Sequence, residues 1–106
     1  MPLFMATGGY TPEGVEGLLK TGGARRAEQL NKVAESLGGR LVALYFGMSE
    51  NDTFIVLDLP DSVAAMGLSK NVNAANTGHC NMERIFTPEE VDEAINRNVQ
   101  FVAPGT

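Results

Sequence analysis

The chain has 106 residues, 43% of them hydrophobic and 20% charged, which suits one hydrophobic core and argues against disorder or a second domain. Thirteen acidic side chains outweigh eight basic ones, and the net charge of -5 disfavours nucleic acid and anionic membrane as partners, since both call for a clustered positive face. The single cysteine, Cys80, precludes an internal disulfide framework and suits a reducing compartment. The opening Met1 to Gly9 has no basic flank, and its apolar stretch is too short and mixed for a signal peptide or membrane span, so a cytoplasmic location is expected.

Leu3 to Gly8 reads as a first strand, bounded by Gly8-Gly9. Thr11-Pro12-Glu13 marks a helix start: threonine caps free backbone N–H groups, proline suits the first turn, and the carboxylate faces the positive end of the dipole. Val15, Leu18 and Leu19 follow at helical spacing. Gly22-Gly23 interrupts, and a stronger helix spans about Ala24 to Leu37, with Ala27, Leu30, Val33, Ala34 and Leu37 as its apolar stripe and Gly38-Gly39 as its stop. Leu41 to Met48 and Thr53 to Leu59 are β-prone apolar runs joined by the turn residues Ser49-Glu50-Asn51-Asp52, which together predict a hairpin with a four-residue loop. Pro60-Asp61 opens a helix to about Ala75. His79 to Phe86 is a fourth strand. Thr87-Pro88-Glu89-Glu90 has the spacing of a capping box and starts a last helix to about Asn98.

The order β-α-β-β-α-β-α predicts an α+β fold: a ferredoxin-like βαββαβ sandwich with a four-stranded antiparallel sheet and an added C-terminal helix. Residues 1–98 form the single domain and 99–106 a tail. The similar segments Thr11 to Glu16 and Thr87 to Asp92 read as two well-formed helix starts rather than a duplication.

In this topology the first and third strands are central and the crossover helices cover one face. The third strand places Thr53, Ile55, Leu57 and Leu59 on one side and Phe54 and Val56 on the other. Strict alternation in the second strand sets Leu41, Ala43 and Tyr45 against Val42, Leu44, Phe46 and Met48. Both faces are apolar, so the uncovered one needs a cover. The expectation is a homo-oligomer packed sheet to sheet; the alternative is the last helix folding back across its own sheet.

Several segments in order resemble the GYD domain family: Met1-Pro2-Leu3-Phe4, Tyr10-Thr11-Pro12-Glu13-Gly14, Ser36-Leu37-Gly38-Gly39-Arg40-Leu41, Asp52, Leu59-Pro60-Asp61 and Thr87-Pro88-Glu89-Glu90. The resemblance runs to about residue 95. It implies a ferredoxin-like domain related to the dimeric α/β-barrel superfamily, and it implies no activity. Where the family's hairpin commonly has Gly-x-Tyr-Asp, this chain has Ser49-Glu50-Asn51-Asp52 and keeps only the aspartate.

Few residues suggest chemistry. His79 and Cys80 are the only histidine and cysteine, but strand neighbours point to opposite faces and no second set completes a metal site. No metal and no cofactor is therefore expected. His79 is a weak candidate for a lone general base, and Asp52 for a catalytic acid or base, although its ordinary role is to shape the turn. Lys20, Gly22-Gly23, Arg25 and Arg26 suggest an anion site at a helix start, against the plainer reading of a kinked surface helix with solvated charges. Tyr10 and Tyr45 are candidates to line a pocket between sheet and helices, or are packed residues. Asn71, Asn73, Asn76 and Asn81 read as caps and turns more readily than as ligand contacts.

Three functions remain open at this level: a small-molecule binding module oriented by Tyr10, Tyr45 or His79, with Arg25 and Arg26 as further candidate ligand contacts; a cofactor-independent enzyme using His79 or Asp52; and an oligomer without ligand. Binding is preferred, because no paired ionisable groups stand at a telling spacing.

Overall fold

A computed structural model describes residues 1–106. Its elements are β1 (Leu3–Tyr10), α1 (Pro12–Thr21), α2 (Gly23–Ser36), β2 (Arg40–Phe46), β3 (Thr53–Asp58), α3 (Ser62–Ala74), β4 (Gly78–Ile85) and α4 (Pro88–Ile95). The four strands form one antiparallel sheet in the order β2-β3-β1-β4, so β1 and β3 are central, and the ferredoxin-like α+β arrangement expected from the sequence is the one adopted.

Local chemistry sets most boundaries. The Thr11 hydroxyl accepts the Gly14 N–H at 3.2 Å and the Thr87 hydroxyl accepts the Glu90 N–H at 3.1 Å, so both threonine-proline pairs are helix starts. At Thr87 the box is complete, because Glu90 accepts the Thr87 N–H in return. Asp61 caps α3 through the Ala64 N–H at 2.9 Å. Gly22 separates α1 from α2 at φ 83° and Gly38 turns the chain after α2 at φ 84°, both in the region that favours glycine. Three boundaries differ from expectation. β1 continues through Gly8-Gly9 to Tyr10, α4 stops at Ile95, and β2 ends at Phe46, which makes the hairpin loop six residues long, Gly47 to Asp52.

The expected alternation in β2 is corrected by a β-bulge between Leu41 and Ala43. Leu41 pairs with Leu57, Leu44 with Ile55 and Phe46 with Thr53, whereas Ala43 and Tyr45 pair with Val56 and Phe54. The extra residue, Val42, shifts every later side chain to the other face. Leu41, Leu44 and Phe46 therefore share the helix-covered side, and Ala43 and Tyr45 the open one.

The core lies under the helices. Phe4, Ala34, Leu57, Leu59 and Ala65 are buried, with Leu37, Leu41, Ile55, Leu68 and Met82 packed around them. It is a small core, and only ten residues of the chain are buried. The open face carries Met5, Phe54 and Val56, half-buried only by their neighbours, with Tyr45 70% exposed; along β4 it turns polar at His79, Asn81 and Glu83. The last helix does not cover it. α4 has no substantial packing with another element, and residues 91–106 are exposed throughout, including Ile95, Val99, Phe101 and Val102. The alternative of a self-capping C-terminal helix is thus not the one this chain adopts.

What holds α4 is its first turn. Glu90 meets the Arg84 guanidinium at 2.8 Å, and that guanidinium lies over the Phe86 ring at 4.3 Å. The Arg84 hydrogen bond first, and then the Thr87 N–H, hold the Glu90 carboxyl below its ordinary 4.5. A carboxyl lowered by folding stabilises the native state above the ordinary value and loses that contribution as pH falls through the lowered one. Glu90→Gln is accordingly expected to match the parent more closely in acid than at neutral pH. A denaturant series carried from neutral pH down past the glutamate range tests this, and a constant difference between the two proteins would count against the ion pair.

Candidate functional site

The two larger helices stand on different strands. α2 packs on β2 and α3 on β4, with no substantial packing of one helix on the other, so the central strands are left as the floor of a cleft. That floor is built from small residues. Ala6 and Gly8 of β1 lie beside Ile55 and Thr53 of β3, and Met82 and Cys80 of β4 flank them. Leu30 and Val33 of α2 form one wall, and Leu68, Val72 and Ala75 of α3 the other. The cleft is partly open to solvent and its volume is about 300 Å³. Ala6 and Gly8 keep the β1 part of this floor low.

At the end of the cleft nearest the strand-to-helix junction stand Tyr10 and Arg26. The Arg26 Nε donates to the Tyr10 hydroxyl at 3.4 Å and its Nη1 to Gln29 Oε1 at 3.2 Å. No carboxylate pairs with Arg26, and no Asp or Glu lines the cavity. A smaller adjoining depression of about 150 Å³ shares Tyr10, Arg26 and Thr77 with the cleft and adds Glu13. Asp52 supports this corner from below: its N–H donates to the Gly8 carbonyl at 2.9 Å, and its carboxylate accepts the Tyr10 N–H at 3.2 Å and the Thr53 hydroxyl at 3.1 Å. Asp52 therefore ties the hairpin loop to the end of β1.

The structure brings together some of the sequence candidates and separates others. Tyr10 and Arg26 meet at the cavity mouth. Arg25 and Lys20 are exposed and line no part of it, so the basic group around Gly22-Gly23 is not assembled into one site. Tyr45 lies on the open face of the sheet, away from the cavity. His79 pairs with Gly9 and Cys80 with Gly8, so the histidine is on the open side and the thiol on the cavity side. Burial pushes the Cys80 thiol above its ordinary value, partly offset by a hydrogen bond with Ser69. Asn73 brackets the Cys80 backbone, accepting its N–H at 3.0 Å and donating to its carbonyl at 3.3 Å; Asn71 bonds within α3, and the Asn76 carbonyl accepts the Thr11 hydroxyl.

Arg26 could have been separated from its neighbours on helical spacing alone. It stands four residues before Leu30 on the line that leads to Val33 and Leu37, whereas Arg25 is turned a further 100° away. Leu30 and Val33 were legible as the apolar stripe of a helix, not as the wall of a cavity.

An antiparallel four-stranded sheet in the order β2-β3-β1-β4 with helices packed on one face defines a ferredoxin-like α+β domain. The sequence profile of the GYD domain family matches residues 4–95, and the chain belongs to that family. No match was found among curated proteins or among solved structures. No helix is long and apolar enough to cross a membrane.

Proposed function

We propose that this domain is a homodimeric binding module that holds a small organic molecule between α2, α3 and the sheet. The observation that carries the reading is the 300 Å³ cleft with mainly apolar walls, Tyr10 and Arg26 at one end, and Thr53, Asn71, Thr77 and His79 among its other polar lining residues, a composition suited to a ligand site.

The second copy is supported by surface area. The chain exposes 7439 Å², against roughly 5,700 Å² for a monomer of 11.3 kDa. Its radius of gyration is 16.7 Å, where about 13 Å is usual for this length. The excess of roughly 1,700 Å² is more than the ~800 Å² per partner that a standard interface buries. The open face with Met5, Phe54 and Val56 and the exposed apolar side chains of α4 and the tail are the surfaces a second chain would cover.

Occupancy tests the binding reading. Native mass spectrometry of protein purified without added ligand is expected to show a dimer with a small non-covalent adduct. Met82→Trp, which fills the cleft from its floor, is expected to release that adduct. Labelling of Cys80 on the cavity wall should be slow in the parent and slower still when the cleft is occupied. Bare mass, together with a labelling rate that no small organic compound alters, would remove the binding reading and leave an oligomer alone.

A further inference from the structure

We infer that the cleft selects a small carboxylate with an apolar body, its anionic end held by Arg26 and Tyr10; this rests on the cleft being a binding site. The charge pattern is the first support. The protein carries a net charge of -5, yet no acidic side chain lines this cavity, and its half-buried arginine has no carboxylate partner. A guanidinium at the edge of an apolar space gains most from an anion that enters with it, because water is partly excluded there.

The hydrogen bonds give the second. Arg26 uses one N–H on the Tyr10 oxygen and one on Gln29, which leaves three of its five N–H groups. The Tyr10 oxygen accepts from Arg26, so its own proton is free to donate. The two side chains thus present donors to one point, and a carboxylate accepts at two oxygens. Gln29 holds the guanidinium plane at the mouth. A cationic ligand would meet Arg26 at the same point and be repelled.

Size gives the third. At about 30 Å³ per water-sized unit, the cleft holds roughly ten non-hydrogen atoms. Its walls beyond Tyr10 and Arg26 are mainly aliphatic, from Leu30, Val33, Ile55, Leu68 and Met82. Phenylacetate fits that description, with an apolar ring and one carboxylate, and phenylacetamide is its neutral isostere.

The experiment compares those two probes by calorimetry and by methyl NMR shifts at Leu30, Leu68 and Met82. Phenylacetate is expected to bind about tenfold more tightly than phenylacetamide. Arg26→Gln is expected to remove that preference while leaving the amide's affinity in place, and Arg26→Lys to keep part of it. Circular dichroism confirms that each variant is folded, and the lysine variant serves if the glutamine one is not. Equal binding of acid and amide, with methyl shifts in the cleft, would overturn the carboxylate assignment and leave the binding site standing. A preference that survives Arg26→Gln would overturn Arg26 as its source. Absence of methyl shifts with either probe would overturn both this inference and the binding reading beneath it.

Discussion

Gly8→Ala is expected to destabilise the protein by about 3 kcal/mol or more, the upper range of overpacking costs. A Cβ on Gly8 would stand 1.9 Å from the His79 carbonyl oxygen and 2.9 Å from the Cys80 Cα. Both are backbone atoms of the neighbouring strand, so no rotamer change relieves them and β1 must move away from β4. For a domain of this size such a cost lowers Tm by roughly 12 °C or more, readable by circular dichroism. Gly17→Ala is the control: it sits in α1 with no atom within 4 Å of the new methyl, and a helix interior gains up to about 1 kcal/mol from alanine. Equal melting temperatures for the two variants would mean that β1 and β4 are not as close at Gly8 as described.

Val56→Glu is expected to turn the proposed dimer into a folded monomer. Val56 is at the middle of β3 on the open face, between Met5 and Ala43 on the adjacent strands. Within one chain a carboxylate there reaches water. Under a second sheet it would be buried without a partner, at a cost of about 3 kcal/mol or more, which weakens association upwards of 100-fold. Sedimentation at micromolar concentration reads the result, with circular dichroism to show that the fold persists. An unchanged dimer would place the interface elsewhere, with the exposed α4 and tail as the next surface to vary.

The fold was legible because its signals are local. Thr11, Asp61 and Thr87 each announce a helix by side-chain chemistry that needs no tertiary partner, and Gly22 and Gly38 announce chain reversals. The bulge at Val42 was hidden, because a bulge is a mismatch of two strands and the residues Arg40 to Phe46 read as regular by themselves. Gly8-Gly9 was read as the end of a strand although it lies inside one; a glycine within a strand pattern equally marks close backbone approach, and only the neighbouring strand decides between the two. The site was half legible. Tyr10 and Arg26 were named, but in separate groups, because the hydrogen bond between them joins residues 16 apart across the first helix. Tyr45 misled because an aromatic in an apolar strand carries no mark of which face it occupies once a bulge has shifted the register.

Two asparagines on the helices have a consequence for how copies of this chain can meet. Asn31 of α2 accepts the Leu41 N–H of β2 at 2.9 Å, and Asn73 of α3 engages both backbone groups of Cys80 in β4. β2 and β4 are the two outer strands of the sheet, where unpaired backbone groups would template another strand. A side chain from the overlying helix satisfies one backbone group of β2 and two of β4. Edge-to-edge pairing with another strand is thereby hindered at those backbone groups, Leu41 in β2 and Cys80 in β4.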